Sequence, residues 1–109
     1  MDARDRIRIR HMLDAAKEAL SFVRGQNRAA LDWDRKLMLS LVLEVEIIGE
    51  AASQVSPATR KKHPTIPWQD IIAMRHRLIH AYFDVDLDIL WDTIRKDVPS
   101  LVRKLEKIQ

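Results

Sequence analysis

Hydrophobic positions recur at helical spacing along almost the whole 109-residue chain. Ile7, Met12, Leu13, Ala16, Leu20 and Val23 give one apolar face to a helix over about residues 3–24, with Gly25 as its stop. "GQNRAALDWD" follows as a loop or a frayed turn, and Asp32 or Asp34 caps the next helix by accepting backbone N–H groups. That helix, over about 35–55, is apolar nearly all round, through Leu37, Met38, Leu39, Leu41, Val42, Leu43, Val45, Ile47 and Ile48. A helix apolar on every side must be covered on every side. Most helices of so small a protein lie at its surface. The pattern therefore predicts a two-fold homodimer, with this helix or its neighbour at the interface. The alternative is a central helix wrapped by its own chain.

"SPATRKKHPTIP" reads as a polar connection, with Ser56 and Pro57 as the cap and first position of a short helical turn that Pro64 and Pro67 break. A third helix is predicted from Trp68 to about Tyr82. Asp84 or Asp86 caps a fourth over about 87–97, and Pro99 marks a kink or a new start. "LVRKLEKI" closes the chain as an amphipathic helix. The fold class is all-α: an up-and-down bundle of four to five helices, one domain over residues 1–109.

Composition narrows the chemistry. Two glycines and four prolines leave little turn-forming material and favour long helices. With no cysteine, disulfides and thiolate metal sites are excluded, and a reducing cytoplasmic setting is the expectation. "LVLEVEII" is far short of a membrane span, and the N-terminus has no apolar stretch of signal-peptide length. A net charge of +3 permits a nucleic-acid partner without demanding one. Arg6, Arg8, Arg10 and His11 lie off the apolar stripe of the first helix and read as a solvated face.

The stretch "MRHRLIHAYFDVD" does not fit a packing role. On a helix continued to residue 82, Ile71, Ile72, Met74, Leu78, Ile79 and Tyr82 form an apolar arc with Arg75 near its middle. Arg77 falls on the opposite side, and His76 and His80 sit a turn apart at the arc's edge. A guanidinium cannot escape burial by losing its proton, so Arg75 needs a carboxylate or a wet cleft that admits an anion. Glu50 and Glu46 of the second long helix are the carboxylates at hand, with Glu50 taken as the supporting one. His76 and His80 have metal-ligand spacing but lack the intervening glutamate of the zinc-protease motif. The Asp84, Asp86, Asp88 run lacks the glycine and closing glutamate of a calcium loop. No metal or cofactor is expected. An arginine to hold an oxyanion and a histidine to move protons suffice for RNA cleavage by the ribose 2′-OH.

"RHRLIHAYF" resembles the R-x4-6-H signature of the HEPN ribonucleases. It is closer still to their HepT-type toxin branch, R-[N/D/H]-x-x-x-H-x-Y, with Arg75, His76, His80 and Tyr82 at those positions. "VEIIGEAASQVS" and "W…IRKDVPSL" are similar to that branch's second-helix and C-terminal segments. The resemblance implies an all-α homodimer with its cleft between protomers, acting as the endoribonuclease toxin of a type VII toxin–antitoxin system. It implies RNA as substrate, Arg75 as the phosphate-stabilising group, His80 as general acid–base and His76 as an assisting group. It also implies an MNT-type nucleotidyltransferase antitoxin that transfers AMP to Tyr82. At the position after Arg75 this chain has His76, where asparagine is commoner in the branch. The alternative reading is a non-catalytic module whose groove binds a nucleotide or docks the antitoxin.

Overall fold

The computed structural model describes residues 1–81 and 84–108, with the backbone alone for 80 and 81. α1 (Ala3–Val23) starts where Asp2 accepts from the Arg4 N–H, and its chain reverses at Gly25, whose φ of +75° suits glycine. The predicted loop holds a single short turn, α2 (Ala30–Trp33). Asp34, rather than Asp32, caps α3 (Arg35–Gln54), with Oδ1 accepting from the Leu37 N–H at 3.0 Å. Ser56 caps α4 (Pro57–Lys62), which opens on Pro57. After α5 (Trp68–Leu78) the chain leaves the helix and forms a short antiparallel ladder, β1 (Ile79–Ala81) with β2 (Asp84–Val85). Asp86 then caps α6 (Leu87–Asp92) through the Ile89 N–H at 3.0 Å.

One expected boundary changes, and another takes a definite form. The third helix stops at Leu78 rather than near Tyr82, because Ile79 turns extended and pairs with Val85, while the Asp86 N–H takes the Leu78 carbonyl at 2.7 Å. Near Pro99, where a kink or a new start is expected, α6 passes through a π-helical stretch, Thr93–Asp97, and α7 (Val98–Ile108) begins one residue before the proline. The wider π turn precedes the proline, which has no N–H to offer the helical ladder, and the helix continues through it.

The all-α architecture holds, with the two-stranded ladder as its one addition among the described residues. α1 and α3 make the most extensive helix pair; α5 packs on α3, and α7 on α1. Ile9, Met12, Leu13 and Ala16 from α1 meet Leu41, Val45 and Ile48 from α3, with Leu78, Leu90, Ile94 and Leu105 completing the core. The molecule measures 42 × 28 × 19 Å, so along its short axis it is about two helix layers deep. No helix in a two-layer body is covered all round. α3 buries Leu37, Leu41, Val45 and Ile48 inward and leaves Leu39, Leu43 and Ile47 at 48%, 56% and 37% exposure on its outer side. The alternative of a central helix wrapped by its own chain is therefore overturned. No described helix is long and apolar enough to cross a membrane.

Candidate active site

Ending α5 at Leu78 changes the surroundings of Arg75. On a longer helix Ile79 and Tyr82 would close the apolar arc around it. With Ile79 in β1, the inward side of α5 is Ile71 and Leu78, and Arg75 lies at its margin. Its side chain is 60% exposed rather than buried, a correction to the sequence expectation. The second solution to the arginine problem is thus realised, an open cleft, and a carboxylate partner is present as well. Arg75 Nε donates to Glu46 Oε1 at 3.2 Å.

The partner is Glu46 and not Glu50. The two carboxylates lie one turn apart on α3, and Arg75, one turn beyond Ile71 on α5, reaches Glu46. Glu50 accepts instead from Gln54 Nε2 at 3.3 Å and lines the cleft wall. An ion pair this exposed contributes little to stability. Glu46 therefore holds the guanidinium in place without competing strongly with an incoming anion.

The cleft consists of two hollows flanking that ion pair. One, of about 550 Å³, lies among Arg35, Met38, Val42, Ile79, Val85 and Leu87. The other, of about 580 Å³, lies among Arg8, His11, Leu43, Ile47, Glu50 and Ile72. Glu46, Arg75 and His76 line both. The exposed stripe of α3 contributes to their floors through Leu39 in the first and Leu43 and Ile47 in the second.

Of the four signature positions, the structure thus brings Arg75 and His76 together on the last turn of α5. The backbone of His80 lies in β1, so the one-turn face shared with His76 on a continuous helix does not form. The His80 side chain and the whole of Tyr82 lie outside the described residues. Arg77 is exposed and reaches back to the Asp70 carbonyl at 3.4 Å, as an ordinary surface residue does. Arg8 and His11, read from the sequence as part of a solvated face, line the second hollow. They do lie off the apolar stripe of α1, but only the packing of α1 beside α3 shows that their side faces the cleft. Among the described residues, no group of three His, Asp or Glu side chains is placed to hold a metal ion.

A family model described as ribonuclease HepT-like matches residues 12–108. The chain belongs to the HepT-like ribonuclease family. Its matched span takes in α3, α5 and the Arg75–Tyr82 signature. Among similar proteins, one from Thermococcus cleftensis named "probable ribonuclease HepT" is 43% identical over 76 residues, covering 70% of this chain and 69% of its own. A provisionally named RNase of Caldanaerobacter subterraneus is 35% identical over 100 residues, covering 92% and 89%. Another, from Methanocaldococcus jannaschii, is 28% identical over 95 residues, covering 87% of each chain. No solved structure matches the chain.

Proposed function

We propose that this HepT-like chain is an endoribonuclease toxin that cuts RNA without a metal ion, as a homodimer, and that a nucleotidyltransferase antitoxin silences it by adding AMP to Tyr82. The observation that carries the reading is the placement of Arg75 and His76 at the centre of an open cleft in a chain of this family.

The chemistry balances with the side chains alone. A base takes the proton of the ribose 2′-OH, O2′ attacks the adjacent phosphorus, and the P–O5′ bond breaks. An acid returns a proton to O5′, leaving a 2′,3′-cyclic phosphate and a 5′-OH. Arg75 stabilises the extra negative charge on the phosphorane oxygens, exchanging Glu46 for phosphate. His80 acts as general acid–base, because an imidazole side chain can both take up and give back a proton. His76 orients or assists from the turn that carries Arg75. A two-fold pairing of protomers brings two such sets to one seam, which supplies an acid and a base together.

Modification of Tyr82 acts through its place in the chain two residues after His80. Its phenol gives up its proton to a base of the antitoxin as the oxygen attacks the α-phosphorus of ATP, and the bond from that phosphorus to the bridging oxygen breaks to release pyrophosphate. The AMP adds bulk and a negative charge two residues from His80, where an RNA phosphate would otherwise bind.

The test is incubation of purified protein with RNA in excess chelator. The parent should cut, leaving cyclic-phosphate ends. Arg75→Ala and His80→Ala should each lose about 10²–10⁴-fold in rate, with helicity and mass in solution unchanged. Cleavage by His80→Ala at the parent rate would remove His80 from its role. Nucleotide binding without cleavage under any condition would favour the non-catalytic module.

A further inference from the structure

The described arginines divide by what they touch. Arg10 lies 3.2 Å from Asp14, Arg28 meets Asp32 and Asp88, and Arg60 donates to the Ser53 and Val55 carbonyls. Arg75 meets Glu46, and Arg95 stands over the Trp91 ring. Arg8 and Arg35 have no hydrogen-bond or ion-pair partner among the described residues, yet each lines a hollow of the cleft. Arg8 is half-buried, which raises the cost of leaving its charge uncompensated. It comes from α1, with His11 on the same side of that helix. Arg35 opens α3 at the far hollow. Arg75 and His76 stand between them, since both line both hollows.

We propose that Arg8 and Arg35 bind backbone phosphates upstream and downstream of the scissile one. The cleft then forms a track for a single RNA strand from α1, past Arg75, to the start of α3, with His11 as a further donor beside Arg8. The track rests on the ribonuclease reading above, because it takes Arg75 as the group at the scissile phosphate. A single strand fits the chemistry. In-line attack by O2′ needs a linkage free to rotate, which the A-form duplex withholds. Phosphate contacts of this kind set register along the strand without reading bases. Arg8 and Arg35 are positioning residues, and their removal acts on binding rather than on the bond-breaking step.

The test uses the full chain and a short single-stranded RNA bearing 2′-O-methyl groups throughout, which binds without being cut. Fluorescence anisotropy is followed over a series of salt concentrations, beside cleavage of the unmodified RNA and the mass in solution. Each phosphate contact to a single strand contributes about 0.7 to the slope of log K against log salt. Arg8→Gln and Arg35→Gln should each flatten the slope by about that amount and weaken binding several-fold at low salt. The KM for unmodified RNA should rise by a similar factor with kcat reduced less, and Arg8→Lys should restore most of the binding. Arg24→Gln and Arg103→Gln, which remove arginines outside the cleft, should leave the slope as in the parent. Unchanged slopes in the two cleft variants, or a parent that does not bind the oligonucleotide, would overturn the track. So would a loss of dimer mass in those variants, which would make the arginines contacts to a second protomer. Slopes that flatten as expected in a protein that never cuts unmodified RNA would keep the track and reject the ribonuclease reading.

Discussion

Glu44 offers a test of the packing between the two longest helices. It lies on the inner side of α3 against α1, only 3% exposed, and among the described residues its Oε2 has no hydrogen-bond partner. Burial, and then the neighbouring Glu18 carboxyl, push Glu44 up from 4.5 to about 7. In the unfolded chain the same carboxyl ionises at the ordinary value. Between those two values the folded state holds a proton that the unfolded state has released, so stability falls as pH rises. The slope is about 1.4 kcal/mol for each pH unit, and the interval from 4.5 to about 7 amounts to roughly 3 kcal/mol lost by pH 8. Glu44→Gln keeps the shape of the side chain and a donor for Glu18 without the ionisation. It should be more stable than the parent by about 3 kcal/mol at pH 8, with the advantage gone by pH 4.5. Urea denaturation followed by circular dichroism measures this at a fixed protomer concentration, because any self-association makes the midpoint depend on concentration. The difference between the two proteins removes the contribution of every group they share. Parallel stability-against-pH profiles for parent and variant would refute the reasoning.

Asp5 should behave in the opposite sense. Hydrogen bonds from Ser56 Oγ and Thr59 Oγ1, both at 2.6 Å, and from the Ser56 N–H at 2.9 Å hold its carboxyl below the ordinary 3.8. Its contribution is present above the ordinary value and lost as pH falls through the lowered one. Asp5→Asn should cost about 2–4 kcal/mol at pH 7, with the gap to the parent closing in strong acid, read from denaturation midpoints at each pH. Leu43→Asp changes a side chain 56% exposed, so each protomer should keep its helicity and its stability to within about 0.5 kcal/mol. If α3 joins two protomers, the same change should halve the mass seen by light scattering at micromolar concentration. An unchanged mass would place the interface elsewhere.

What the sequence determined by itself was the long helices and several of their ends. The α1 and α3 boundaries, the stop at Gly25 and the cap at Ser56 follow from periodicity and from side chains bonding a backbone N–H two or three residues on. Those interactions are local, so they are legible without knowing what lies across the chain. The arginine–histidine signature was legible in the same way, as a run of residue types that packing alone does not require. The tertiary structure decided what each of those residues faces. Ile79 leaves the helix because Val85 is there to pair with it, and that moves Arg75 from the centre of an apolar arc to the edge of a cleft. Glu46 and Glu50 differ by one turn on α3, and only the crossing of α5 selects Glu46. Arg8 and His11 look like ordinary solvated residues until α1 packs beside α3 and turns them toward Arg75. Glu44 reads as a break in an apolar run, and its burial shows only when α1 covers it. Such contacts join residues dozens of positions apart, and no periodicity within one helix encodes which distant helix it will meet.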